Sequence, residues 1–132
     1  MAEVVSGLTL DAGALIALER RQHAVIRLVG RARERGTKVT IPASVLAQTV
    51  RDPRRQALLS QMLRHRSTRI ESLDRVAAVA VGRRLAAAGT ADVVDAHVVV
   101  TAEARGDAIV TSDPDDIARL VDPSSGVAVL AI

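Results

Sequence analysis

Leu8-Thr9-Leu10-Asp11 and Ala108-Ile109-Val110-Thr111-Ser112-Asp113 are two short apolar runs, each stopping at an acid. Runs of this length rich in Val, Ile, Leu and Thr read as strands buried on both faces. Between them, strand-like and helix-like patterns alternate, which is the signature of an α/β fold around a parallel sheet. Val5–Leu10 is the expected first strand, with a helix from Asp11 past Leu18. A second helix is expected over His23–Arg35, where Val25, Leu28, Val29 and Ala32 share a face and Gly36 closes the end. Lys38–Ile41 reads as strand two. Pro42 to Val50 reads as a helix aligning Val45, Leu46 and Thr49, and Pro53–Arg64 as the next, begun at Asp52-Pro53. Arg69–Ser72 is the expected third strand and Asp74–Ala88 a helix ended by Gly89. Thr90 is read as the cap of a helix reaching Arg105. Ala108–Thr111, Pro114–Val121 and Val127–Ala131 complete the pattern as strand, helix and strand.

The chain has 132 residues and is 48% hydrophobic, enough to bury a core as one domain spanning residues 1–132. It contains no Phe, Tyr or Trp, so aromatic stacking platforms for nucleic-acid bases are excluded. With no cysteine, disulfides, thiolate metal sites and cysteine nucleophiles are excluded as well. The start, Met1-Ala-Glu-Val-Val-Ser-Gly7, carries an acid where a secretory signal wants a base, and Arg83-Arg84 interrupts the longest Ala/Val-rich stretch. A cytoplasmic location without membrane contact is expected.

Charge is unevenly spread. Residues 20–84 hold sixteen Lys/Arg against four acids, net +12, whereas residues 85–132 hold two against eight, net −6. A basic half suits a phosphate backbone and an acidic half suits cations. Seventeen of the eighteen basic residues are Arg, and the abundance of Arg and Ala also fits a GC-rich coding bias.

Each acid has a plain structural reading, because Asp caps helices and is stabilised near their N-termini. Asp11, Asp92 and Asp113 all fit it. Asp95, read as lying beyond the first turn with Val94, Val98 and Val99 around it, does not. A buried carboxylate is costly unless paired with a cation. Spaced three apart, Asp92 and Asp95 share a helix face. In an open parallel sheet, ligands sit beyond the carboxyl ends of strands where the strand order reverses. Strand one lying beside strand four therefore brings Asp11 and Asp113 to neighbouring positions, roughly 5 Å apart. A hard divalent cation, Mg²⁺ or Mn²⁺, relieves that repulsion better than zinc would, since His and Cys do not cluster. His23, His65 and His97 are read as structural or surface residues.

These residues together resemble the PIN domain, and within it the VapC-like toxin ribonucleases of bacterial type II toxin–antitoxin pairs. Leu10-Asp11-Ala-Gly-Ala-Leu15 is similar to the opening motif, Asp92-Val-Val-Asp95-Ala-His-Val98 to the central one, and Thr111-Ser-Asp113-Pro-Asp-Asp116 to the closing one. The resemblance runs nearly end to end. It implies a three-layer α/β/α fold with a central parallel sheet of four to five strands. It also implies an endoribonuclease in which Asp11, Asp95 and Asp113 hold Mg²⁺ or Mn²⁺ that activates water. Asp92 and Asp116 would orient metal-bound waters, Thr111 would support the site, and arginines such as Arg20, Arg51, Arg54 and Arg55 would hold RNA. A cognate antitoxin and a homodimer built on early helices are further implications.

One position departs from the family pattern. Gln48 stands where a glutamate is usual, removing a charge and a possible base. Asp52 and Asp92 are candidate substitutes for it. A PIN-like protein that binds RNA or a partner with weakened catalysis is the alternative reading. Two other families that place Asp after strand one fit less well. A haloacid-dehalogenase-like phosphatase needs a second Asp where Gly13 stands, and a receiver domain needs a late Lys, whereas Lys38 is the sole lysine.

Overall fold

The computed structural model describes residues 7–132. Five parallel strands form one sheet in the order β3-β2-β1-β4-β5. They are β1 (Leu8–Leu10), β2 (Val39–Pro42), β3 (Thr68–Glu71), β4 (Ala108–Thr111) and β5 (Val129–Ala131). Both faces are covered by helices α1 (Ala12–Glu19), α2 (His23–Glu34), α3 (Ala43–Thr49), α4 (Ala57–Arg64), α5 (Arg75–Ala88), α6 (Val93–Arg105) and α7 (Pro114–Leu120). Helix α1 packs with α2, α3 and α4, while α5, α6 and α7 pack with one another. The result is the expected three-layer α/β/α arrangement. No single described helix is long and apolar enough to cross a membrane.

The two runs that begin the sequence argument are the central pair. Leu8 faces Ala108, Thr9 faces Ile109 and Leu10 faces Val110 in parallel register. Leu10, Ile109, Val110, Val98 and Ile117 are completely buried, so hydrophobic burial is concentrated where these strands meet α6 and α7. On α2, Val25, Val29 and Ala32 are buried as their spacing predicts, and Leu28 packs at the core's edge. Gly36, Gly89 and Gly106 follow helix ends at φ near +70°, the left-handed conformation that only glycine adopts without strain.

Several boundaries differ from the sequence expectation for local reasons. Strand β1 starts at Leu8, and the earlier residues of its expected span, 5 and 6, lie outside the described ones. Pro53–Arg64 is two elements, a 3₁₀ turn at Pro53–Arg55 and then α4. The break falls at Gln56, whose side chain accepts from the Arg51 N–H (2.9 Å) and donates to the Thr49 carbonyl and Glu19 carboxylate (both 2.8 Å). Side-chain bonds of this kind compete with the helical ladder. The cap of α6 is Asp92 rather than Thr90.

One ion pair fixes the acidic half. The Arg84 guanidinium grips the Glu103 carboxylate through two bonds (2.7 and 3.0 Å) and donates to the Leu120 carbonyl (2.8 Å), tying α5, α6 and α7 together.

Candidate functional site

Strand order reverses between β1 and β4: the chain moves outward through β2 and β3 on one side, then returns to add β4 and β5 on the other. The carboxyl ends of this pair are the expected ligand crevice. Asp11 follows β1 directly, and its N–H donates to the Val110 carbonyl (3.2 Å), which fixes it beside the end of β4. Its carboxylate is buried and accepts from the Ala14 N–H (2.8 Å), so Asp11 is also the cap of α1. Asp113 is different. It precedes α7, is exposed, and makes no side-chain capping bond. The structural reading therefore holds for Asp11 and does not account for the Asp113 carboxylate.

Thr111 links the two. Its Oγ1 accepts from the Asp113 N–H (2.8 Å), and its hydroxyl lies near enough to the Asp11 carboxylate to favour the ionised form. Burial pushes the Asp11 carboxyl up, the Thr111 hydroxyl and the Ala14 N–H oppose this, and the nearby Asp113 charge raises it further. The loop carrying Asp113 approaches so closely that Gly13 is sterically required: a Cβ there would stand 1.9 Å from Ser112 Oγ and 2.9 Å from Ser112 Cβ.

Helix α6 brings the other acids. Asp92 is its N-cap, accepting from the Asp95 N–H (3.0 Å). Asp95 thus lies inside the first turn, which corrects the expectation that it stands beyond it. The early position does not make it comfortable. Burial, then the charges of Asp92, Asp11 and, more weakly, Asp116 push its carboxyl up to about 6. Among the described residues, no salt bridge touches Asp11, Asp95 or Asp113. Asp92, Asp95 and Asp116 line a cavity of about 280 Å³ with Thr90 and Arg119. Arg119 reaches Asp116 at 3.7 Å. Neither Thr90 nor Arg119 stood out in the sequence as a site residue.

This repulsion sets the sign of a pH effect. A carboxyl whose folded pKa exceeds the ordinary 3.8 destabilises the fold while ionised, and the cost is relieved as pH falls through about 6. Without divalent metal, Asp95→Asn is expected to raise the melting temperature at about pH 7.5, and by less at about pH 5. Buried His97, held below its ordinary range by desolvation, loses stability toward acid in both proteins and drops out of the difference. Melting curves by circular dichroism measure this; an equal gain at both pH values would mean that repulsion is not the origin.

The remaining candidates are less central. Gln48 is exposed on α3. Asp52, a candidate substitute for the missing glutamate, caps its own turn through the Arg54 N–H (3.1 Å) and pairs with Arg54 and Arg55. Arg20, Arg51, Arg54 and Arg55 are all exposed. His97 turns away from the acids to Ser44, its Nδ1 lying 2.8 Å from the hydroxyl and joining α6 to α3. His23 is exposed and His65 bonds locally to Ser67.

Among the described residues, no three His, Asp or Glu side chains stand close enough to ligate one ion as placed. The donor chemistry nevertheless fits a hard divalent cation: oxygen ligands only, several carboxylates repelling one another, and no cation among the groups that shift Asp11 or Asp95.

The PIN domain family model matches residues 8–122. Solved structures of similar fold include VapBC2 from Rickettsia felis bound to a DNA fragment from their promoter, with TM-score 0.69, 14% identity, and 96% of this chain and 98% of that one covered. FitAcB from Neisseria gonorrhoeae aligns with TM-score 0.59 and 16% identity over 93% and 96% of the two chains. FitAB bound to an IR36 DNA fragment aligns with TM-score 0.62 and 15% identity over 94% of each. At such identities the likeness speaks for the fold. Comparison with curated proteins gives no match.

Proposed function

The chain belongs to the PIN domain family, and from that premise we propose that it is a divalent-metal-dependent endoribonuclease, the toxin of a toxin–antitoxin pair. The observation that carries this is the buried Asp11 carboxylate at the strand-order reversal, raised by the neighbouring Asp113 charge and itself helping to push Asp95 up to about 6. In this reading Asp11, Asp95 and Asp113 hold Mg²⁺ or Mn²⁺. Asp92 and Asp116, on the rim of the adjoining cavity, orient its waters. The bound ion would lower the pKa of water and stabilise charge on the scissile phosphate. Thr111 keeps the Asp11 carboxylate and the Asp113 backbone in register. The exposed arginines of residues 20–84 hold the RNA backbone through charge, since base stacking on aromatic rings is excluded.

Partners belong to the same reading. An antitoxin and a second copy of the chain both need apolar surface, and the described residues offer such surface in at least two places. One is a groove of about 370 Å³ bounded by Leu18, Ile26, Val29, Leu58 and Met62. The other is the outer face of α5, where Val76 and Val79 are exposed. Co-purification with a candidate antitoxin co-expressed with the chain, and light scattering of the isolated chain, test these assignments.

The decisive experiment is incubation of purified chain with RNA and Mn²⁺ or Mg²⁺, beside a chelated control. Cleavage requiring the ion supports the proposal. RNA binding without cleavage at millimolar metal supports the weakened alternative instead.

Gln48 provides a graded test. Gln48→Glu adds a carboxylate on α3, the helix that packs against both α1 and α6. The extra negative charge is expected to tighten Mn²⁺ binding by about tenfold, about 1.4 kcal/mol. Isothermal titration reads it, and unchanged affinity would place residue 48 outside the ion's field.

A further inference from the structure

At the opposite end of the strands from the carboxylates, a second cleft of about 410 Å³ opens between the end of α2 and the starts of β2 and β3. Arg33, Lys38, His65 and Arg66 line it, with Glu34 as the one acid. Arg33 is half-buried, its Nε is buried without a partner, and one terminal nitrogen rests 3.4 Å from the Met62 sulfur. Lys38 Nζ donates to the Arg66 carbonyl (3.1 Å), which holds the ammonium group at the backbone that carries the Arg66 guanidinium. Among the described residues, no salt bridge reaches Arg33, Lys38 or Arg66 despite the presence of Glu34. Desolvation and the charges of Arg33 and Arg66 hold His65 below its ordinary range, in keeping with an uncompensated positive cluster.

Three cations gathered against one acid favour an anion richer in charge and acceptors than a carboxylate, and guanidinium forks match phosphate oxygens geometrically. The cleft also lies within the segment of net charge +12. We propose that Arg33, Lys38 and Arg66 form a phosphate-binding site that grips the RNA backbone a few nucleotides from the bond cleaved at the carboxylates. This rests on the nuclease reading. The first and last Cα atoms of a four-residue strand such as β2 are roughly 10 Å apart, so the sheet is short enough for a few nucleotides of flexible RNA to pass from one end to the other around the β3 edge.

The test uses the full chain carrying Asp113→Asn, without divalent metal, and a fluorescein-labelled single-stranded oligoribonucleotide of mixed sequence. Adding Arg33→Ala and Arg66→Ala is expected to weaken binding about tenfold, and to reduce the slope of log affinity against log salt by about 1.4 for two lost contacts. Lys38→Ala with Arg66→Ala, both on exposed residues, gives the same loss without touching the Met62 contact. Unchanged affinity and slope in both variants overturn the site. A parallel titration with inorganic phosphate follows the Thr37 and Ser67 amide resonances. Shifts there with RNA affinity unaltered by the substitutions assign free phosphate as the ligand and overturn the RNA assignment. Cleavage by the wild-type chain is scored separately with Mn²⁺. Absent cleavage with cleft-dependent RNA binding sinks the nuclease reading and leaves the cleft as an RNA phosphate site without a cleaved bond beside it, while cleavage with cleft-independent binding sinks this inference alone.

Discussion

Asp113→Asn is expected to lower Mn²⁺-dependent RNA cleavage by about a thousandfold, a loss of about 4 kcal/mol in transition-state stabilisation, while leaving the fold intact. The stability half of this expectation follows from what Asp113 does not do. Its carboxylate is exposed, caps nothing and joins no salt bridge among the described residues, so an amide of the same shape sacrifices no contact. Removing its charge also relieves Asp11, whose carboxyl it helps to push up, and a small rise in melting temperature should accompany the loss of activity. Asp11→Asn makes the stricter comparison. An Asn oxygen still accepts from the Ala14 N–H, so the α1 cap survives, while the charge and one acceptor facing Thr111 are lost. Initial cleavage rates over a Mn²⁺ titration measure both variants. Rates within tenfold of wild type, or cleavage indifferent to a chelator, would remove these carboxylates from the chemistry.

Much of the framework was legible because its signals are local. Leu8–Leu10 and Ala108–Thr111 are continuous apolar runs that sit between two helical layers, and their pairing puts Asp11 and Asp113 at one edge. Asp74 with Gly89 bracketed α5, and the helix expected to reach Arg105 ends there. What the pattern missed depends on side chains reaching across sequence. Gln56 breaks a helix through bonds to Glu19, Thr49 and Arg51, and nothing in a helical period announces that. Thr90 and Asp92 are both good caps two residues apart, so composition alone does not rank them. Choosing Asp92 moves Asp95 into the first turn, where the reason to single it out changes. Its distinction is the field of three other carboxylates, two of them from elsewhere in the chain. His97 meets Ser44 across 53 residues, a contact that depends on how α3 leans on α6.

The closest approach in the site was also invisible in one dimension, and it makes the second large effect calculable. Gly13→Ala places a methyl 1.9 Å from Ser112 Oγ and 2.9 Å from its Cβ. Rotating the hydroxyl relieves the first clash but not the second, since Cβ moves only with the backbone. Ser112 lies between Thr111, whose Oγ1 holds the Asp113 N–H, and Asp113 itself. The displacement therefore passes into the loop that carries the site carboxylate. Exposure of Ser112 leaves the loop free to yield outward, so the stability cost should stay near about 2 kcal/mol, in the ordinary range for overpacking. Activity should suffer more, because a shift of about 1 Å in a catalytic group costs roughly a hundredfold. Ser112→Gly removes both clashing atoms, so adding it to Gly13→Ala should restore most of the lost rate. Denaturant melts and cleavage rates for the two single variants and the double variant form a cycle, and rates that simply add in log scale would show that Gly13 acts by some route other than the Asp113 loop.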